Sequence, residues 1–219
     1  MISTKEIVSE FCHKIGKDSL FVQGAGGNVS WKEDNLLWIK ASGTWLSKAK
    51  TDEIFVPVDL NLITDNIKRD NFSVKPVSVN NSNLKPSIET LLHALMPQKF
   101  IVHLHAIEIL SLLVRVDSKI LVNEILGEHF NFVFLEYYKP GSELAEAMNL
   151  ALQKNTSTDI VFLKNHGVVI GSEDMVRLEE LLLRLTDLFQ SSISDAYLDH
   201  VVEKKDPVVI DNYYFDSNS

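Results

Sequence analysis

The stretch that most restricts how this chain can fold is DIVFLKNHGVVIG (159–171), two apolar runs broken at Asn165-His166-Gly167. Runs rich in Val, Ile and Phe on either side of a turn signal read as two strands. FIVHLHAI (100–107) alternates cleanly and is a third strand, while LLWIKAS (36–42), IFVPV (54–58) and FNFVFLEYY (130–138) supply further ones. Helical patterns lie between them. Ser3 and Glu6 have the capping-box spacing, and Ile7, Phe11 and Ile15 follow at helical intervals before Gly16. Pro86 opens a helix to about Leu95, two short helical stretches run up to Gly127, and another covers roughly 143–154. A long amphipathic helix spans about 174–200, with Leu178, Leu182, Leu185 and Phe189 facing inward. Residues 64–84 are rich in Asn, Ser and Asp and read mainly as a long surface loop. Because strands and helices interleave throughout, the class is α/β.

At 219 residues the chain suits one domain, taken as 1–206, followed by an acidic, Tyr-bearing tail over 207–219 that is mobile or docks on a neighbouring subunit. The net charge of -9 argues against an electrostatic grip on nucleic acid or an anionic membrane. Cys12 is the single cysteine, which rules out an intrachain disulfide. No apolar run of spanning length and no charged-then-apolar leader is present, so the sequence reads as a cytoplasmic protein.

The histidines carry the chemistry. Positions i and i+2 of a strand share a face, so His103 and His105 project side by side and can chelate one ion. A third ligand is needed, and His166, fixed in a tight turn between two strands, is the best candidate. Glu89 lies just upstream of the HxH strand and offers a carboxylate for acid–base work or a fourth ligand. His93, four residues on, shares its helix face, which suits a partner standing behind the metal ligands or, the readier reading, a structural histidine. QGAGGNVS (23–30) is a glycine-rich turn, a backbone that can approach an anion closely.

QGAGGNVS, ASG (41–43), PSIET with VHLH (86–90 and 102–105) and KNHG (164–167), in that order, resemble the class II aldolase/adducin family over nearly the whole chain. The resemblance implies a three-layer α/β/α fold around a central mixed, largely antiparallel sheet. It implies one divalent ion per subunit, zinc by preference, held by His103, His105 and His166, with Glu89 as the acid–base carboxylate. It implies substrate contacts from Gly27, Asn28, Ser42, Gly43 and Ser87, and a proton-donating tyrosine at Tyr137, with Tyr138 a rival, acting near a subunit interface of a homotetramer. The implied activity is a metal-dependent lyase cleaving a ketose phosphate or related sugar derivative through a metal-stabilised enediolate. Two other readings stand beside it: an epimerase, dehydratase or decarboxylase of the same family, and a non-catalytic adducin-like assembly domain. The chain departs from the family's phosphate pattern at two positions. Ala25 stands where a threonine is expected and Ile88 where a second serine is, so two hydroxyl donors are missing. Lys40 and Lys164 are the cations available to compensate.

Overall fold

Val102 and Leu104 point to one side of their strand and Ile101 and His103 to the other, and all four are buried. A strand buried on both faces needs a layer on each side of its sheet. The computed structural model, which describes residues 2–203 apart from Asn81 and Glu128, with side chains as far as Ile193, supplies both layers. The strands are β1 (Asn28–Glu33), β2 (Leu36–Lys40), β3 (Phe55–Asp59), β4 (Phe100–Leu104), β5 (Phe132–Leu135), β6 (Ile160–Leu163) and β7 (Gly167–Ser172). They form one sheet in the order β3-β2-β1-β4-β7-β6-β5. Every neighbouring pair is antiparallel except β5 and β6, which run parallel.

The helices are α1 (Thr4–Ile15), α2 (Leu60–Ile67), α3 (Thr90–Leu95), α4 (Ile107–Leu113), α5 (Ser118–Leu126), α6 (Ser142–Lys154) and α7 (Met175–Glu203). One face of the sheet is covered by α1, α4, α5 and α7, whose Phe11, Ile109, Val122 and Leu182 pack with Val29, Trp31, Val102 and Leu104. The other face is covered by α2, α3 and α6, where Ile63, Leu92 and Met148 meet Leu37, Ile101 and Val161. The α/β class and the mixed, largely antiparallel sheet are as expected. The capping box at Ser3 and Glu6 is formed, and α1 ends at Gly16.

Three elements differ from the sequence expectation. Residues 28–33 form β1, a central strand, although Asn28, Ser30 and Lys32 interrupt its apolar pattern. The supposed loop over 64–84 begins inside α2: Asp59 caps that helix by accepting from the Leu62 N–H, and Ile63 and Ile67 are buried. Beyond α2 the segment contains only an isolated bridge from Ser78 to Val58 among its described residues. The helix expected from Pro86 starts at Thr90, because Ser87 Oγ accepts from the Glu89 N–H and the Ser87 carbonyl accepts from the Thr90 N–H, making a turn first. The tail expected from Pro207 lies outside the described residues.

Candidate metal centre

β4 lies between β1 and β7, and this pairing assembles the centre. His103 is the penultimate residue of β4 and is fully buried; its Nδ1 lies 3.0 Å from the Val168 carbonyl on β7. A carbonyl only accepts, so Nδ1 carries a proton, and Nε2 is the ring nitrogen turned toward His105 and Glu89. His105 follows the end of β4 and stays on the same side, its Nε2 3.2 Å from His103 Nε2. His166 arrives from the β6–β7 turn. Asn165 takes a left-handed φ of 57° there, a conformation asparagine tolerates. At Gly167 any Cβ would run into the Leu104 carbonyl, so glycine is what lets the turn press against β4. The three ring centroids stand 4.9–5.1 Å apart, and one ligand nitrogen from each ring lies within 4.8 Å of the others.

Glu89 completes the arrangement from the N-terminal end of α3. Its Oε1 is 3.1 Å from His166 Nε2 and 3.4 Å from His103 Nε2, while Oε2 accepts from the Asn28 amide at 2.6 Å. Zinc with nitrogen ligands at its usual bond length makes a tetrahedron with edges of about 3.3 Å. Three of the separations in this set, His103 to His105 and Glu89 to His103 and His166, fall at 3.1–3.4 Å, and all three nitrogens lie within 4.8 Å of one another, so the residues present fit one such ion after small side-chain adjustment.

The electrostatics agree. Burial works to raise the Glu89 carboxyl, but the charge on His103 and hydrogen bonds from His103 and His166 outweigh it and hold it well below the ordinary carboxylate range. Burial works against a charged His103, yet Glu89 reverses the balance and raises it. His105 is pushed down to about 4, first by burial and then by the charges of His103 and His166. An ionised carboxylate therefore faces a buried cluster of imidazoles, and a single divalent ion would satisfy the cluster by pairing with the carboxylate and with ring nitrogens together.

The expected anion-binding turns gather nearby. Gly27 has φ +68° and packs beside the His103 carbonyl, where a Cβ would stand 3.0 Å from Leu104 and 3.3 Å from Leu46. Ala41 forms a bridge with Pro86, and the Ser42 N–H donates to the Lys85 carbonyl at 2.8 Å. The Ser42-Gly43 turn is thereby set beside buried Ser87. Lys40 is not solvated: it is 1% exposed and its ammonium donates to the Ala25 carbonyl at 2.9 Å, pinning the glycine-rich turn to β2. Burial lowers its pKa to about 8. Lys164 pairs instead with Glu136. Tyr137 and Tyr138 stand past the end of β5 and are 56% and 41% exposed, so their hydroxyls are not gathered into the buried cluster.

Comparison with known proteins follows the same outline. The family model described as Class II Aldolase and Adducin N-terminal domain matches residues 6–192. The chain belongs to the class II aldolase and adducin family. An L-fuculose phosphate aldolase of Methanocaldococcus jannaschii is 29% identical, the match covering 76% of this chain and 83% of that protein. An uncharacterized oxidoreductase of Bacillus subtilis, YuxG, is 28% identical over 86% of this chain, but the match spans only 29% of that longer protein. The N-terminal class II aldolase domain of a conserved protein from Thermoplasma acidophilum superposes with a TM-score of 0.74 at 27% identity, covering 88% of this chain and 95% of that one. A sugar-phosphate aldolase from Thermotoga maritima gives 0.68 at 18% identity, covering 93% and 98%. No helix among the described residues is long and apolar enough to cross a membrane.

Sequence reasoning missed the work of Ser30 and Lys32. Ser30 Oγ is 2.7 Å from His93 Nδ1, and Lys32 reaches the last carbonyls of α3. Polar residues alternating with Val29 and Trp31 were the available signal.

Proposed function

We propose that this chain is a metal-dependent lyase that cleaves a ketose phosphate or a related sugar derivative between two carbons. The observation that carries the proposal is the convergence of Glu89 Oε1 with the imidazole nitrogens of His103, His105 and His166. These side chains would hold the ion, and a nitrogen-rich set with one carboxylate suits zinc. When bound, the ion supplies Lewis-acid charge against the negative charge that develops on the substrate oxygens as the carbon–carbon bond breaks.

The chain's own residues do the rest. In the direction of carbon–carbon bond formation Glu89, ionised and fixed by Asn28, takes the proton from the carbon beside the carbonyl; in cleavage the carboxyl so protonated returns it and is left ionised. The backbone at Gly27 and Gly43, with Ser42, Ser87 and Asn28, receives the anionic end of the substrate. Tyr137, exposed on its own protomer, serves the centre of a neighbouring subunit in a homotetramer: in bond formation its hydroxyl gives a proton to the aldehyde oxygen, and in cleavage the phenolate takes that proton back, solvent resetting the group between turnovers. The name of the Methanocaldococcus relative supports this reaction class.

A second reading keeps the ion and changes the reaction to epimerisation, dehydration or decarboxylation of a sugar acid. The hydroxyl-free Ala25 and Ile88 favour it, since fewer donors then remain for a phosphate. A panel of ketose phosphates and sugar acids, assayed for aldehyde release with wild type and Glu89→Gln, separates the two. Glu89-dependent aldehyde release supports the lyase. Its absence across the panel, with Glu89-dependent epimerisation or decarboxylation instead, overturns it.

A further inference from the structure

Asn28, Ser30 and Lys32 occupy alternate positions on one face of β1, and all three engage α3 and the turn before it. The Asn28 amide donates to Glu89 Oε2 at 2.6 Å. Ser30 Oγ lies 2.7 Å from His93 Nδ1. The Lys32 ammonium donates to the carbonyls of Ala94, at 3.4 Å, and Met96. Two residues of strand advance about 6.7 Å and four residues of helix advance about 6 Å, so the rungs 28–89 and 30–93 can run in step without strain. Lys32 then closes the far end, where carbonyls lack partners within the helix.

These groups are costly where they are. Ser30 and His93 are both fully buried, and Glu89 is 8% exposed. Burial pushes the His93 ring down to about 3 and Lys32 to about 8. An apolar β1–α3 contact of the same shape would stabilise the fold at least as well, because buried polar pairs gain little over apolar packing. What apolar packing does not supply is direction. α3 is six residues long and its N-cap, Glu89, makes no side-chain cap bond; the Ser87 turn fixes where the helix starts but, being local in sequence, not how it sits against β1. Leu91 and Leu92 bury it, but apolar contacts are non-directional and do not by themselves specify one register.

We propose that Ser30, His93 and Lys32 are positioning residues: with Asn28 they form a polar ladder that holds α3 in register and so sets Glu89 Oε1 against His103 and His166. This rests on the metal reading given above. Glu89 is the one member of the cluster that comes from neither β4 nor the β6–β7 turn, so it alone depends on a separate device for its place.

The test uses Co2+ as probe, titrated into metal-free full-length protein, with the visible d–d absorption reporting ligand geometry and chelator competition reporting affinity. His93→Leu and Ser30→Ala are expected to weaken Co2+ binding about tenfold and to alter the absorption band. His93→Asn, whose amide reaches Ser30 as Nδ1 does, is expected to restore both toward wild type. A folded His93→Leu or Ser30→Ala protein with wild-type affinity and spectrum overturns the ladder while leaving the metal centre standing. If His93→Leu does not fold, Ser30→Ala, the removal of one oxygen, decides the matter alone. A wild-type protein that takes up no Co2+ overturns the metal reading and the ladder together.

Discussion

On one face of β1, Val29 and Trp31 sink into the larger core, where Trp31 stacks on Trp38 at 5.5 Å and meets Phe55 edge-on at 5.0 Å. On the other, Asn28 and Ser30 are buried almost as deeply, yet they are held by hydrogen bonds to Glu89 and His93. Neighbouring β4 repeats the division, with Val102 and Leu104 on the first side and His103 on the second. Equal burial thus conceals two kinds of constraint. The apolar side answers to volume, and its loss is felt as stability. The polar side answers to pairing and direction, and its loss is felt as chemistry.

The comparison is sharpest at Glu89. Glu89→Gln keeps the shape and the bond to Asn28 but removes the charge, so kcat/KM is expected to fall about 10²–10⁴-fold, with a modest loss of stability in the metal-free protein as His103 and His166 lose their anionic partner. Steady-state kinetics on any substrate found in the panel, beside a denaturant curve, checks both halves. A large stability loss with intact turnover would break the comparison. Trp31→Ala is the converse: a loss of about 3–5 kcal/mol of stability, read by denaturant melts, with the stoichiometry of bound zinc unchanged by metal analysis.

A smaller effect comes from pH. His93 takes up a proton near 6.5 when unfolded but only near 3 when folded, burial being the main cause and the charge of His103 the next. Between those values the unfolded chain holds more protons, so stability rises with pH and is lost as pH falls from about 6.5 toward 3. Denaturant midpoints of the metal-free protein at pH 7 and pH 5 are expected to differ less in His93→Asn than in wild type. Equal differences would remove His93 from the account. Smallest of all, Lys5→Ala breaks an exposed pair with Glu53 and is expected to change stability by at most about 1 kcal/mol, measured by the same melts.

The three histidines were legible in the sequence because the signals that place them are local: a two-residue strand period for His103 and His105, and a tight Asn-His-Gly turn for His166. The α/β class followed from interleaved patterns for the same reason. β1 was not legible. Its polar alternation looks like a continuation of the glycine-rich turn until α3, some sixty residues later, provides Glu89 and His93 as partners. The start of α3 was misplaced for a related reason, since Pro86 and Ser87 suit a helix opening and also suit the turn that precedes it. Tyr137 and Tyr138 mark the remaining limit: both are exposed and apart from the buried cluster, so the fold of one chain assigns a role to neither.

The bond from His103 Nδ1 to the Val168 carbonyl has an implication for the order of events in a newly made chain. Closing β7 onto β4 selects which ring nitrogen is free, so the ligand set is chemically prepared by the same step that zips the sheet. On the proposed metal reading, an ion would meet a ring already oriented by the backbone pairing of the sheet.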